Sequence, residues 1–228
     1  MFRILNMRTA RIDDLKAKAR IRDAAMRSVA EDGVPSMTAR KITAAAGVSP
    51  ALVIHHFGSM KGLRSACDEY VASRIREANE NAASVGPEID LLAAIREADF
   101  GPLSGYLAAV LVEDSPAVAK LVDVLVDDAE GDCRRFVEAG MMRPTTDYRG
   151  RAAVLLLWSL GALVMHKHMQ RILGCDLTDR GVGSDSAIAA YAGPAYEILG
   201  KGILTEEFAA HAQDSFAEVT SDVTAHGE

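Results

Sequence analysis

The stretch TARKITAAAGVSPALVIHHFGSMKG, residues 38–62, contains the start and stop signals of two short helices. The first is predicted over Ala39–Ala46, because a threonine precedes it as an N-cap and Gly47 follows it with the freedom to adopt a left-handed turn. The second is predicted over Pro50–Phe57, where Ser49 is the N-cap and proline takes the first position. Two short helices joined in this way form the helix-turn-helix pattern, whose second helix enters the DNA major groove.

Helical patterns continue on both sides of this stretch. Residues Arg11–Glu31 carry apolar side chains at helical spacing and basic side chains on the other faces. After Gly58, Ser59 begins a longer helix that is predicted to run to about Asn81. The segment SVGPEID, Ser84–Asp90, breaks the pattern. Beyond it, helices are predicted over Glu88–Asp99, Pro102–Glu113, Pro116–Gly140, Asp147–Leu173, Ser186–Leu199 and Thr205–Val219.

Composition narrows the class of protein. The chain has 228 residues, of which 49% are hydrophobic and few are aromatic, and no strand pattern stands out, so we expect an all-α fold. Three cysteines without CxxC spacing are typical of a reducing cytoplasm rather than of a disulfide scaffold. The longest apolar run, Ala152–Met165, is too short to span a bilayer, and no secretory signal is expected.

Charge is distributed unevenly along the chain. The first 62 residues contain 11 basic and 5 acidic residues, a net charge of +6, whereas the remainder contains 14 and 27, a net charge of −13. This asymmetry is compatible with an anionic partner for the first part, and equally with a solvated basic helix face.

The histidines were considered as metal or catalytic groups. For the pair His55-His56, no further ligands lie at usable spacing and no nucleophile or carboxylate pattern surrounds them, so groove or phosphate contact is favoured over metal binding, catalysis or ordinary helix surface. His166 and His168 lie ~200° apart around a helix, which is poor geometry for one metal ion. We therefore expect no metal site, no cofactor and no catalytic residues.

The stretch TARKITAAAGVSPALVIHHFGSMKGL resembles the TetR family of bacterial transcriptional regulators, and the match extends over about residues 12–75. The resemblance implies a cytoplasmic homodimeric repressor, not an enzyme, that binds a near-palindromic double-stranded DNA operator and is released by a small-molecule effector. Two departures concern Ile54, which stands with the histidines where the family carries tyrosine, and Met60, which replaces the turn lysine. The family positions that contact DNA correspond to Thr38, Arg40, Ser49, Pro50, Ala51, Leu52, Ile54, His55, His56 and Lys61.

The resemblance also implies two domains. An N-terminal three-helix helix-turn-helix domain is expected over residues 11–62, and a C-terminal helical domain for effector binding and dimerisation over residues 63–219. The helix over residues 59–81 connects them, and residues 220–228 are expected to form a flexible tail.

An apolar, methionine-containing effector pocket would suit a hydrophobic ligand such as a drug or an acyl chain, which would connect the protein with drug efflux or lipid-related genes. The same residues could equally be simple core, and no membrane partner is expected. The alternative function is a helical small-molecule-binding protein or enzyme with an incidental helix-turn-helix. The candidate pocket residues are Phe100, Tyr106, Met141, Trp158, Met165 and His166.

Overall fold

A computed structural model of the chain describes residues 2–98, 100–178 and 185–210, and within these ranges it contains helices and no strands. The all-α prediction is therefore confirmed. Short 3₁₀ turns occupy Val34–Ser36 and Gly86–Glu88. The α-helices are α1 (Phe2–Asp32), α2 (Ala39–Ala46), α3 (Pro50–Phe57), α4 (Met60–Val85), α5 (Leu91–Ala98), α6 (Gly101–Val110), α7 (Pro116–Glu138), α8 (Tyr148–Val164), α9 (His166–Leu173) and α10 (Asp185–Lys201).

Helices α2 and α3 have the bounds that their caps predict. Helix α1 begins nine residues earlier than expected, at Phe2 rather than Arg11, because residues 2–10 contain no proline or glycine to stop it. Helix α4 continues past Asn81 to Val85 and ends where Gly86 takes a positive φ of 77°. Of the predicted helix Thr205–Val219, residues 206–210 are helical, and the rest, like the predicted tail, lies outside the described residues.

The prediction of one continuous helix over Asp147–Leu173 is wrong. The backbone leaves the helical conformation at Met165, with φ −94° and ψ 18°, and the axes of α8 and α9 differ by 79°. The Met165 N–H is shared between the carbonyls of Gly161 and Leu163, which tightens the last turn of α8. No proline or glycine marks this break, so the apolar pattern continues through it without a signal.

The core forms around α1. Helix α1 packs against α2, α4 and α6, helix α4 packs against α7, and α7 packs against α8. Three of the five residues predicted to form the small helix-turn-helix core, Ile42, Ala46 and Val53, are buried. The other two, Val48 and Phe57, are half-buried and pack against the same core. The sequence pattern thus predicts the inner face of this unit correctly.

The contacts divide the chain into two compact units, Met1–Ile188 and Ala189–Glu228. The first contains α1 to α9 and the beginning of α10. The described part of the second contains the rest of α10, with Pro194 inside it, and a helical turn over residues 206–210. In the parts of the chain that are described, no single helix is long and apolar enough to cross a membrane. Helices α8 and α9 pass that test only as a bent pair.

Candidate DNA-binding surface

Helices α2 and α3 are each held at the start by a side-chain cap. Thr38 Oγ1 accepts a hydrogen bond from the Lys41 N–H at 3.3 Å, and Ser49 Oγ accepts one from the Leu52 N–H at 3.3 Å. Between the helices, Gly47 adopts the left-handed conformation with φ 65° and ψ 43°. A side chain with a Cβ is disfavoured there, so glycine fixes the angle of the turn.

The outer face of this unit consists mostly of the residues predicted to meet DNA. Leu52 differs from the others because it is half-buried and packs against the core. Its expected role at the base-facing surface is therefore reduced to the part of its side chain that remains accessible. The exposed members of the predicted set are Thr38, Arg40, Ser49, Pro50, Ala51, Ile54, His55 and Lys61.

His56 does not face outward as expected. Its side chain is only 5% exposed and turns toward α1, where its Nε2 lies 3.5 Å from Oδ1 of Asp14. The expectation that no further metal ligand lies near the histidine pair is also wrong, because Asp14 is brought close to both histidines by the packing of α1 against α3. Asp14 is 41 residues from His55 in the chain, so spacing alone gives no sign of it.

Several basic side chains near this surface are tied to protein partners. Lys41 pairs with Asp32, and Arg22 pairs with Asp23 at 2.7 Å while its guanidinium stacks 3.3 Å from the centre of the Tyr70 ring. A paired cation contributes less positive potential than its formal charge. The basic composition of the first 62 residues therefore overstates the charge available to an anionic partner.

The junction between α3 and α4 is tightly closed. Gly58 takes a positive φ of 72°, and Ser59 Oγ accepts a hydrogen bond from the Gly62 N–H at 3.0 Å. A Cβ built on Gly62 would lie 2.0 Å from the carbonyl oxygen of Phe57, which is far inside van der Waals contact. Gly62 is thus required for α4 to start against the end of α3. Sequence reasoning missed this role, since the glycine lies inside a predicted helix.

A buried polar cluster joins α4 to α6. The Tyr106 hydroxyl donates a 2.6 Å hydrogen bond to Oδ1 of Asp68, and Arg64 donates to Asp68 at 3.2 Å and to Glu113 at 3.3 Å. Burial raises the pKa of Asp68 above its ordinary value, and the hydrogen bond from Tyr106 and the charge of Arg64 offset this only in part. Burial and the neighbouring carboxylate raise the pKa of Tyr106, so this hydroxyl stays protonated.

Helix α4 is also joined to α7 through charged groups. Both terminal nitrogens of the Arg76 side-chain fork that face α7 donate to Asp128, with a shortest distance of 2.7 Å. Asn79 donates to Asp132 at 2.6 Å, and Arg135 also pairs with Asp132. The acid-rich stretch of α7 was expected to be solvated surface, but Asp132 is only 5% exposed. Its acids serve partly to hold α4 in place.

The six predicted pocket residues have different surroundings. Tyr106 is fully buried and bonded to Asp68, whereas Phe100 and Met141 are half-buried. Trp158 and Met165 are 38% and 57% exposed, respectively. Whether these residues line an effector pocket stays a prediction.

His166 has the hydrogen-bonding role that was considered for it. Its Nδ1 lies 3.2 Å from Asp176 and 3.2 Å from Oγ1 of Thr178. Partial burial raises the pKa of Asp176, but the hydrogen bonds from Thr178 and the contact with His166 outweigh it and lower the pKa below its ordinary value. This cluster fixes the segment after α9 beside the start of that helix.

The capped pair of short helices, with α1 packed behind it, defines a helix-turn-helix protein. Two family models match the chain: "Bacterial regulatory proteins, tetR family" over residues 21–67, and "Tetracyclin repressor-like, C-terminal domain" over residues 98–205. A relative from Mycobacterium tuberculosis (strain H37Rv), the HTH-type transcriptional regulatory protein RaaS, is 34% identical over 216 residues, which cover 90% of this chain and 98% of that protein. The chain belongs to the TetR family of bacterial transcriptional regulators.

Solved structures share the fold at low sequence identity. The transcriptional regulator FadR from Bacillus subtilis, in complex with stearoyl-CoA, is 16% identical with a TM-score of 0.57, and the match covers 82% of this chain and 99% of that one. A TetR-family regulator from Rhodococcus sp. is 17% identical with a TM-score of 0.54, covering 80% and 98%. These similarities concern the arrangement of helices.

Proposed function

We propose that this protein is a repressor that binds a near-palindromic DNA operator as a homodimer in the cytoplasm and is released by a small, hydrophobic effector. The observation that carries the proposal is the outward face of α3, which is pre-shaped by its Ser49 cap and displays Ala51, Ile54 and His55 on a unit of the matching family. Side chains of this kind suit the major groove, where Ile54 would contact a thymine methyl and His55 a base acceptor or a phosphate.

Phosphate contacts would surround this helix. Arg40 and Lys61 are exposed on either side of α3 along the chain, and the Thr38 cap leaves the start of α2 close to the surface. Backbone N–H groups at the start of a helix and cationic side chains both bind phosphate oxygens. Such contacts set the orientation of α3 on the duplex, while the exposed side chains of α3 read the sequence.

A dimer is proposed because α8 displays a continuous apolar face. Val154, Leu157 and Trp158 are 66%, 60% and 38% exposed in a single chain, at the spacing of one helix surface. Large exposed apolar patches mark interaction sites, and a twofold dimer is the commonest closed assembly. A twofold axis would also present two copies of α3 to successive major grooves.

Effector release is proposed to act through α4. This helix starts at the Ser59 cap beside α3 and is bonded further along to α6 through Asp68 and to α7 through Arg76. A ligand that shifted α6 or α7 would therefore move the start of α4. A coupling free energy of ~1–3 kcal/mol would change operator affinity about 5–150-fold. The stearoyl-CoA bound to FadR supports an acyl chain as the class of effector to test first.

The test is selection of binding sites from random duplex DNA by the purified protein, followed by footprinting of the enriched sequence. We expect two half-sites related by a twofold axis, about 10 base pairs or a multiple apart. Stearoyl-CoA is then added to the complex with a decanoyl-CoA control, and release by the longer chain alone is expected. Failure to enrich any sequence would contradict the proposal. Enrichment without release would restrict the error to the effector class.

A further inference from the structure

A cluster of metal-ligating side chains lies where α1 passes the end of α3. One ligand atom from each of Asp14, His55 and His56 lies within 4.8 Å of the other two. The imidazole rings of the two histidines are 5.2 Å apart between centroids, with an angle of 63° between their planes. Two imidazole nitrogens with one carboxylate oxygen form a ligand set that suits Zn²⁺ and neighbouring transition metals.

His56 provides the second observation. Its side chain is 5% exposed, and its Nε2 is shielded from solvent without a hydrogen-bond partner among the described residues. Nε2 points toward Asp14, but the separation of 3.5 Å from Oδ1 exceeds the usual length of a hydrogen bond. Buried polar atoms are nearly always satisfied, so this nitrogen lacks a group that the protein itself does not supply.

The separation fits a shared metal ion. Two ligands bound to a tetrahedral Zn²⁺ at 2.0–2.1 Å lie about 3.3 Å apart, close to the observed gap between Nε2 of His56 and Oδ1 of Asp14. His55 and Asp14 are exposed, so their side chains can adjust to complete the coordination and leave one position for water. Ions that prefer oxygen ligands, such as Mg²⁺ and Ca²⁺, are disfavoured by the two imidazoles.

We propose that Asp14, His55 and His56 bind one divalent transition-metal ion of the zinc class, which fastens the end of α3 to α1. The ion would supply the missing partner of His56 and join two helices that otherwise meet through few side chains at this point. While His55 holds the ion, the nitrogen that it uses cannot contact a DNA base. The metal site itself does not depend on the proposed repressor function.

The test is a zinc titration of the untagged full-length protein, after dialysis against a chelator, in competition with a chromogenic zinc indicator. Wild type is compared with Asp14→Asn and His55→Ala, which alter exposed ligands and are expected to fold. Asp13→Asn and His168→Ala are matched controls, because each removes the same kind of group at an exposed position outside the cluster. Circular dichroism verifies that all variants are helical.

Wild type and both controls are expected to bind one zinc ion that the ligand variants bind at least ~10–100-fold more weakly, the loss known for weaker outer-shell partners. Since a ligand that binds only the folded state stabilises it, Zn²⁺ should also raise the melting temperature of wild type and leave that of Asp14→Asn unchanged. Equal zinc stoichiometry and affinity in wild type and either ligand variant would overturn the proposal. That result would mean that His56 and Asp14 form only an ion pair.

Discussion

The hydroxyl of Tyr106 on α6 donates a 2.6 Å hydrogen bond to Oδ1 of Asp68 on α4, in the interior of the first unit. Asp68 also accepts a hydrogen bond from Arg64, which is four residues earlier on the same helix and less than one turn from the α3–α4 junction. The position of α4, the helix that carries the proposed effector signal, is therefore set by a buried polar contact with α6 in addition to apolar packing.

Replacing Tyr106 by phenylalanine removes this hydrogen bond and keeps the ring. Because the Asp68 carboxylate loses a buried donor, we expect the free energy of unfolding to fall by about 1–3 kcal/mol. Urea denaturation followed by circular dichroism measures the change. Tyr148→Phe is the matched control at a half-exposed tyrosine, with an expected change within about 0.5 kcal/mol. Equal stabilities of the two variants would show that the Tyr106 hydroxyl contributes nothing.

Replacing Gly62 by alanine should disturb the junction of α3 and α4. The new Cβ would lie 2.0 Å from the Phe57 carbonyl oxygen, a backbone atom that cannot move without shifting the end of α3. We expect a loss of more than ~1 kcal/mol in stability, because overpacking typically costs about 1–3 kcal/mol. Thermal and urea unfolding both report the effect.

Gly131→Ala on α7 is the control for this substitution. Its nearest neighbour would be the flexible Arg135 side chain at 3.5 Å, an ordinary contact. Alanine is favoured over glycine inside a helix by about 0.5–1 kcal/mol, so this variant should gain stability. If Gly62→Ala were as stable as Gly131→Ala, the close approach between α3 and α4 would be wrong.

The buried thiol of Cys67 predicts a loss of stability in alkali. Burial raises the pKa of Cys67 from 9.0 to about 12, so between these values the unfolded chain releases a proton that the folded chain retains. The folded state then binds more protons than the unfolded state, and its stability falls as the pH rises above about 9. Urea midpoints of wild type should decline more steeply over this range than those of Cys67→Ala, whose overall stability is lower because of the cavity. Parallel curves for the two proteins would contradict the prediction.

The apolar face of α8 predicts a dimer that a charge can break. Leu157→Glu places a carboxylate in the proposed interface, where it would be desolvated without a partner, so the variant should be monomeric. Sedimentation velocity of wild type and variant at equal concentration measures this. Leu15→Glu is the control, because Leu15 is equally exposed, at 59% against 60%, and lies on α1. A wild-type monomer, or a dimer unaffected by Leu157→Glu, would rule out this interface.

The parts of the fold that local signals control could be predicted. The caps Thr38 and Ser49 and the turn at Gly47 determine α2 and α3 through contacts within three residues, so their bounds follow from the sequence. The break at Met165 could not be predicted, because no residue there disfavours a helix and the change of direction depends on tertiary packing.

The candidate site was predictable only where it depends on exposure. Ile54 and His55 lie on the outer face as the helical pattern predicts. His56 turns inward, because its position on α3 faces α1, and its neighbour Asp14 is distant in sequence. Contacts of this kind arise from the packing of whole helices, which spacing along one chain does not encode. The same reason explains why the role of Gly62 was missed.

The most direct test of the account is fluorescence anisotropy of wild type and Arg40→Ala with the DNA upstream of the protein's own gene and a scrambled duplex, across a salt series. Lys120→Ala, which removes an exposed cation from α7, is the control. We predict preference for the upstream DNA, a steep loss of affinity with salt, and a salt slope reduced by about 1 in Arg40→Ala alone. No binding to either duplex at low salt, or binding unaffected by Arg40→Ala, would contradict the assignment of this surface to DNA.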